Sequence, residues 1–131
     1  MNEYQPHTDI VNRTVEANYE GETEKWRVEL VHYTTWPDFD VPKTESFAYL
    51  LQHVNRCNDD DSPIVVHCSA GVGRTGTFCL IDSMLKDPNF TTKSQVMERA
   101  KDFKVGFSHF PIIDHFVLET TTGNDSNFRA I

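Results

Sequence analysis

The stretch PIVVHCSAGVGRTG, from Pro63 to Gly76, decides the fold. It opens with a short apolar run, Pro63–His67, of the kind typical of a strand buried on both faces. A glycine-containing turn, Cys68–Gly73, follows, and the pattern after it predicts a helix from Arg74 to about Lys86. The sequence therefore predicts a strand, a tight turn and a helix in direct succession.

This turn has the properties of an anion site. Backbone N–H groups that converge in a tight turn bind anions, and the dipole of the following helix adds partial positive charge. Gly71 and Gly73 give the backbone the freedom that such convergence needs. Arg74 adds a planar fork that can hold two oxygens of a phosphate, and Ser69, Ala70 and Val72 complete the predicted phosphate-binding loop.

Cys68 lies at the base of this loop, where the positive field favours its thiolate. His67 and Thr75 are placed to tune the sulfur through hydrogen bonds. A thiolate there would attack phosphorus in line and form a cysteinyl-phosphate, and Arg74 with the N–H groups would stabilise the charge without a metal. Cys57 and Cys79 lack an arginine six residues further on. Only Cys68 is therefore a candidate nucleophile.

The leaving oxygen needs a proton from an acid on the opposite side. The proline-braced loop Thr34–Pro42 offers one in the sequence Trp36-Pro37-Asp38, with Asp38 delivered by loop closure and Trp36 packed as a hinge. The interpretations without chemistry are a turn residue for Asp38 and a buried structural thiol for Cys68. The combined motif favours the catalytic interpretation for both.

Outside these motifs the chain alternates strands and helices, which predicts an α/β fold with a central twisted mixed sheet. Asp9–Tyr19 and Trp26–Tyr33 are predicted strands around a turn at 20–24, and Trp26, Val28 and Leu30 follow a half-buried alternation. A first helix is predicted by the helical spacing of Phe47, Leu50, Leu51 and Val54. A later helix begins with a capping box of Thr92 and Gln95, ends at Gly106 and has apolar residues at helical spacing: Val96, Met97, Ala100 and Phe103. A last short helix is predicted over Ile112–Glu119.

Composition limits the function classes. The 131 residues suit one domain or part of one, and the formal charge of −8 disfavours nucleic acid and anionic lipid as partners. No apolar run is long enough to span a membrane, and the first residues do not resemble a secretory signal, so we expect an intracellular protein without membrane insertion. Three sparse cysteines without metal-like spacing predict reduced thiols, no metal site and no cofactor.

With these residues in view, the chain resembles the C-terminal half of a protein tyrosine phosphatase catalytic domain of the phosphotyrosine-specific kind. The match covers about residues 9–118 and is densest at His32–Pro42, similar to the family's acid loop, and at Val66–Phe78, similar to its signature loop. The resemblance implies a phosphotyrosine-protein substrate, with Cys68 as nucleophile, Arg74 as phosphate binder and Asp38 as acid and later base.

Two departures from the family pattern stand out. The family domain begins before this chain does, and the resemblance places the recognition loop and several strands in that earlier part. His109 stands where a glutamine that helps place the hydrolytic water is expected, and Ile113 where a second would fall. We expect the phosphoenzyme to form readily and to hydrolyse slowly.

The sequence predicts one partial catalytic domain over residues 1–131, with a disordered tail over residues 120–131. Two other functions remain open. A non-catalytic phosphotyrosine-binding module, or an inactive fragment, would keep the loop without turnover, and a dual-specificity phosphatase would share the mechanism. Nothing in the sequence fixes the oligomeric state.

Overall fold

A computed structural model describes residues 2–37, 40–60, 62–69, 73–89, 92–103 and 105. These form an α/β arrangement of three strands and three helices, which confirms the predicted class. Two compact units divide the chain: Met1–Trp36 with Lys43–Asp61, and Pro37–Pro42 with Ser62–Ile131. The elements are β1 (Asn2–His7), β2 (Ile10–Ala17), β3 (Trp26–Tyr33), α1 (Thr44–Cys57), α2 (Arg74–Lys86) and α3 (Lys93–Asp102).

The first unit contains an antiparallel sheet in the order β1-β2-β3. β2 and β3 pair without interruption from Ile10 opposite Tyr33 to Ala17 opposite Trp26. β3 has the predicted bounds. The sheet was predicted to be mixed, whereas all the described pairings are antiparallel. The sequence did not predict β1, because the strand is polar and contains Pro6. Its edge position tolerates that proline, and its register with β2 shifts between Tyr4 and His7.

The alternation in β3 identifies the wrong buried face. Directly opposed residues of an antiparallel pair share a face. Trp26 and Val28 lie opposite Ala17 and Val15, and they are 51% and 54% exposed. The buried positions of the sheet lie instead on the face that carries Ile10 and Asn12, both 0% exposed. The alternation in β3 correctly predicts a strand whose two faces differ in burial. Which face is buried depends on the contact with α1.

Helix α1 supplies the rest of the first unit's core. Phe47, Leu50 and Leu51 are buried as predicted, and His53 is buried in place of the partly covered Val54. Phe47 is fully buried, and its ring lies edge-on against Trp36, with 5.3 Å between the ring centroids. The core of this unit therefore reaches the residue that begins the Trp36-Pro37-Asp38 sequence.

The second unit is built on α2 and α3. Helix α2 has the predicted bounds, and α3 begins with the predicted capping box, in which Gln95 N donates to Thr92 Oγ1 and Thr92 N donates to Gln95 Oε1. A side chain at Gly76 would collide with the backbone oxygen of Phe103, so glycine permits this close approach. The core contains Phe78, Leu80, Ile81, Met84, Val96 and Ala100.

One predicted strand is wrong. Residues 62–68 have no regular secondary structure and are not part of the described sheet, and Val65 is 88% exposed. A continuous apolar run becomes a buried strand only where neighbouring strands pair with both of its edges. Among the described residues no strand pairs with this segment, so its N–H and C=O groups form no ladder. The helix predicted over Ile112–Glu119 and the tail over 120–131 lie outside the described residues.

Candidate functional site

The predicted phosphate-binding loop is described on both sides of its centre. His67, Cys68 and Ser69 lie before that centre, and Gly73 and Arg74 begin helix α2. Ala70, Gly71 and Val72 lie outside the described residues. Cys68 is partly buried and is not part of a disulfide. Helix α2 begins directly after the loop, as the sequence predicted.

Gly73 is the N-cap of α2, and its backbone conformation requires glycine. Its φ of 102° and ψ of −83° lie in a region that residues with a Cβ rarely adopt. Gly73 is buried, and its carbonyl accepts hydrogen bonds from Thr77 N at 2.8 Å and from Thr77 Oγ1 at 2.7 Å. The helix start is thus held from inside α2 by a fully buried threonine.

The N-terminus of α2 has the electrostatics of an anion site. No acidic residue lies in its first turn, and Gly73 has no side chain that could cap the helix. The N–H groups of the first turn and the helix dipole favour an anion at this end of the 13-residue helix. Arg74, in the first turn, adds a positive charge at the same place.

Thr75 has a buried hydroxyl oxygen that forms no hydrogen bond with any described residue. A buried hydroxyl without a partner costs on the order of 1–3 kcal/mol. The Thr75 hydroxyl is therefore suited to the predicted hydrogen bond with Cys68. His67, the other residue predicted to tune the sulfur, is exposed.

The other two cysteines have the properties of ordinary thiols. Burial, with Glu29 as the next contribution, raises the pKa of Cys57, and burial with the Asp82 carboxylate raises the pKa of Cys79. Both lie in helices, at the end of α1 and within α2, as the sequence predicted. Neither environment favours a thiolate at neutral pH.

The acid loop is described only in part. Asp38 and His109 lie outside the described residues, and so does Ile113. Trp36 is partly buried and lies edge-on to Tyr33, at 6.2 Å between centroids, as well as to Phe47. Pro37 is exposed. The base of the loop is therefore packed on the sheet and on α1.

The sequence analysis used Asp9 only as the first residue of a predicted strand and did not predict its contacts. Its side chain is buried, with Oδ2 4.0 Å from His7 Nδ1, and its backbone carbonyl accepts two hydrogen bonds from Thr34. Thr34 lies 25 positions further along the chain. No local pattern links Asp9 to it.

Two features bear on ligands and membranes. The described part of the chain contains no group of three His, Cys, Asp or Glu residues that could hold a metal ion. Within the same residues, no helix is both long and apolar enough to cross a bilayer.

Known proteins resemble the chain in both sequence and fold. Tyrosine-protein phosphatase 1 of Dictyostelium discoideum is 36% identical over 118 residues, covering 84% of this chain and 22% of that protein. Human tyrosine-protein phosphatase non-receptor type 2 is 39% identical over 88 residues, covering 61% of this chain and 21% of that protein. The chain thus spans about a fifth of the length of these two relatives.

Solved structures give the same result. The Trypanosoma brucei phosphatase TbPTP1 superposes with a TM-score of 0.75 at 32% identity, over 91% of this chain and 45% of that one. A PTPN18 structure superposes with a TM-score of 0.80 at 23% identity, over 94% of this chain and 47% of that one, and shows likeness of fold. The profile of the family described as "Protein-tyrosine phosphatase" matches residues 1–104. The chain therefore belongs to the protein-tyrosine phosphatase family.

Proposed function

We propose that this chain carries the catalytic loop of a phosphotyrosine-protein phosphatase that works through a cysteinyl-phosphate. The observation that carries the proposal is the start of α2, where a buried glycine with positive φ and Arg74 follow Cys68 at the spacing of a phosphate-binding turn. The family membership supports the same chemistry. PTPN18, of similar fold, has been solved with phosphorylated HER2 peptides, which supports a phosphotyrosine substrate.

In the first step, the Cys68 thiolate attacks phosphorus in line with the tyrosyl oxygen. The S–P bond forms as the P–O bond breaks, and the electron pair leaves with the tyrosyl oxygen. Asp38 donates the proton that this oxygen needs. Arg74 and the N–H groups of residues 69–74 hold the phosphoryl oxygens, whose charge they stabilise most in the transition state.

In the second step, water attacks the phosphorus of the cysteinyl-phosphate. Asp38, now a carboxylate, accepts a proton from that water, and the P–S bond breaks to restore the thiolate and release inorganic phosphate. The Thr75 hydroxyl stabilises the departing sulfur by a hydrogen bond. His109, in place of the glutamine expected to position this water, makes the second step slow.

The test is rapid mixing of the chain with a phosphotyrosine peptide. We expect a burst of about one dephosphorylated peptide per enzyme, followed by a slower steady rate of phosphate release. Cys68→Ser removes both phases, whereas Cys57→Ser, an exposed thiol of raised pKa, keeps them. His109→Gln raises the steady rate and lowers the burst amplitude, because hydrolysis then comes closer to the rate of phosphoenzyme formation. Linear formation of dephosphorylated peptide from the first turnover, without a burst, would contradict slow hydrolysis of the cysteinyl-phosphate.

A phosphotyrosine-binding module is the second candidate. The observation in its favour is His109, which stands where the family's water-positioning glutamine is expected. A titration of the unmodified chain with a labelled phosphotyrosine peptide, read for both binding and turnover, separates the two. Binding without turnover by the unmodified chain favours the module, and turnover favours the enzyme. A phosphoserine peptide in both assays tests the dual-specificity alternative.

A further inference from the structure

Tyr19 lies in the connection between β2 and β3, residues 18–25, which we call the hairpin tip. The tip belongs to neither strand, and the Tyr19 side chain is 60% exposed. A turn is closed here by Glu22 N, which donates to the Tyr19 carbonyl at 3.0 Å, and Gly21 in the turn has a φ of 90°. A side-chain atom added at Gly21 would meet nothing within 4 Å. Tyr19 therefore lies on an open surface turn.

The other three of the chain's four tyrosines are less accessible. Tyr33 and Tyr49 are half-buried, and the Tyr33 hydroxyl lies 2.7 Å from Ser46 Oγ. Tyr4 is 52% exposed, but it lies within β1, which is paired with β2. An enzyme that takes a tyrosine into its active site must also move the backbone beside it, and in a strand this breaks ladder hydrogen bonds. Tyr19 combines the largest exposure of the four with a position outside the sheet.

The hairpin tip is acidic. Three exposed glutamates follow Tyr19 within five positions: Glu20, Glu22 and Glu24. The two cations nearest to them in sequence are already paired, since Lys25 Nζ and Arg27 Nε lie 3.3 Å and 3.5 Å from the Glu16 carboxylate. In the part of the chain that the structure describes, no lysine or arginine forms an ion pair with the three glutamates of the tip. An accessible hydroxyl thus lies beside uncompensated negative charge, which is complementary to a basic groove.

We propose that Tyr19 is a phosphorylation site for a protein tyrosine kinase with a basic substrate groove. The Tyr19 hydroxyl oxygen attacks the γ-phosphorus of the kinase's ATP, and the bond from that phosphorus to ADP breaks with its electron pair. ADP leaves, and an aspartate of the kinase accepts the hydroxyl proton. The product adds about −1.5 to −2 charge to the tip at neutral pH.

The experiment uses the whole chain with Cys68→Ser, so that the proposed phosphatase activity cannot remove the phosphate. The chain is incubated with ATP, Mg²⁺ and a tyrosine kinase that accepts a copolymer of glutamate and tyrosine, and mass spectrometry locates and counts the phosphate. We expect about one phosphate per chain, on Tyr19, because a single tyrosine is both exposed and outside the sheet. Tyr19→Phe should remove it, and Tyr4→Phe, the matched exposed tyrosine, should keep it.

Two results would overturn the site. One is a chain without phosphate on Tyr19. The other is phosphate spread over several tyrosines, which would indicate that the kinase acts on unfolded chains rather than on the hairpin tip.

Charge variants test the acidic surface. In one variant the three glutamates of the tip are changed: Glu20→Gln, Glu22→Gln and Glu24→Gln. The control makes the same change in net charge at exposed acids elsewhere: Glu45→Gln, Asp59→Asn and Glu98→Gln. We expect kcat/KM of the kinase to fall about tenfold for the tip variant and less than about twofold for the control, because only the tip faces the groove. Added salt should reduce the difference by screening. Equal kcat/KM for the two variants at low salt would overturn recognition by a basic groove.

The same assay on the unmodified chain keeps this site separate from the proposed function. An active phosphatase would hold the phosphate on Tyr19 below the level reached in Cys68→Ser. Equal phosphate on Tyr19 in both chains would support the site and count against the phosphatase activity.

Discussion

His53 lies in α1 with 7% of its surface exposed, and its Nε2 is 3.0 Å from Asn12 Oδ1 in the sheet. Asn12, fully buried, donates to Glu29 Oε2 at 2.6 Å, and the His53 ring stacks on Tyr49. Burial lowers the pKa of His53, the Arg56 charge lowers it further, and Glu29 opposes both. The folded chain therefore keeps this ring neutral to lower pH than the unfolded chain does.

This difference predicts a loss of stability in mild acid. Below the ordinary pKa of 6.5 the unfolded chain binds a proton that the folded chain does not, so the free energy of unfolding falls as pH falls until the lowered folded pKa is reached. The slope from one such group is at most about 1.4 kcal/mol per pH unit. Urea unfolding at pH 7.5 and 5.5 measures it.

His53→Gln should remove most of this slope while His32→Gln, on an exposed strand position, keeps it. An unchanged slope in His53→Gln would show that other groups carry the acid sensitivity.

At the scale of single elements, we expect the start of α2 to affect both the free energy of unfolding and the binding of a phosphate analogue. Gly73 holds a positive φ that an alanine would strain, by on the order of 1–3 kcal/mol. We expect Gly73→Ala to lower the free energy of unfolding by about that amount and to weaken binding of orthovanadate, a phosphate analogue, at least about tenfold. Gly21→Ala is the matched control, since Gly21 also has positive φ, at 90°, in an open surface turn. It should cost stability and leave vanadate binding unchanged.

Urea unfolding and a vanadate titration monitored by calorimetry test both variants. Equal vanadate affinity in Gly73→Ala and the unmodified chain would mean that the helix start does not shape the site.

The elements differ in how far local sequence predicts them. α2 and the capped start of α3 were predicted correctly, because helix bounds depend on residues within a few positions, such as Thr92 and Gln95. The segment Pro63–His67 was predicted wrongly, because pairing depends on strands elsewhere in the chain. β1 was missed since polar residues and Pro6 conceal an edge strand whose partner is β2.

At the scale of the whole molecule, each compact unit has its own buried core. Ile10, Phe47, Leu50 and Leu51 belong to the first, and Phe78, Leu80 and Ile81 are among those of the second. The chain has two tryptophans, Trp26 and Trp36, and both lie in the first unit. Tryptophan fluorescence therefore reports one unit, and helical circular dichroism reports both.

We expect the two signals to follow different urea curves, because separate cores can unfold in separate transitions. Orthovanadate, bound at the start of α2, should shift the part of the dichroism curve that fluorescence does not share. Coincident curves, with and without vanadate, would instead indicate a single cooperative unit. The control is Arg74→Ala, which removes the proposed phosphate-binding charge and should abolish the shift.

The sequence by itself determined the α/β class, the bounds of β3 and α2, the capping box and the identity of the candidate nucleophile and phosphate-binding arginine. These depend on residues close together in the chain, such as Cys68 and Arg74. The tertiary structure alone decided which face of β3 is buried and that Asp9 and His53 are enclosed. Contacts between residues tens of positions apart decide burial and hydrogen-bond partners, and no local pattern encodes them.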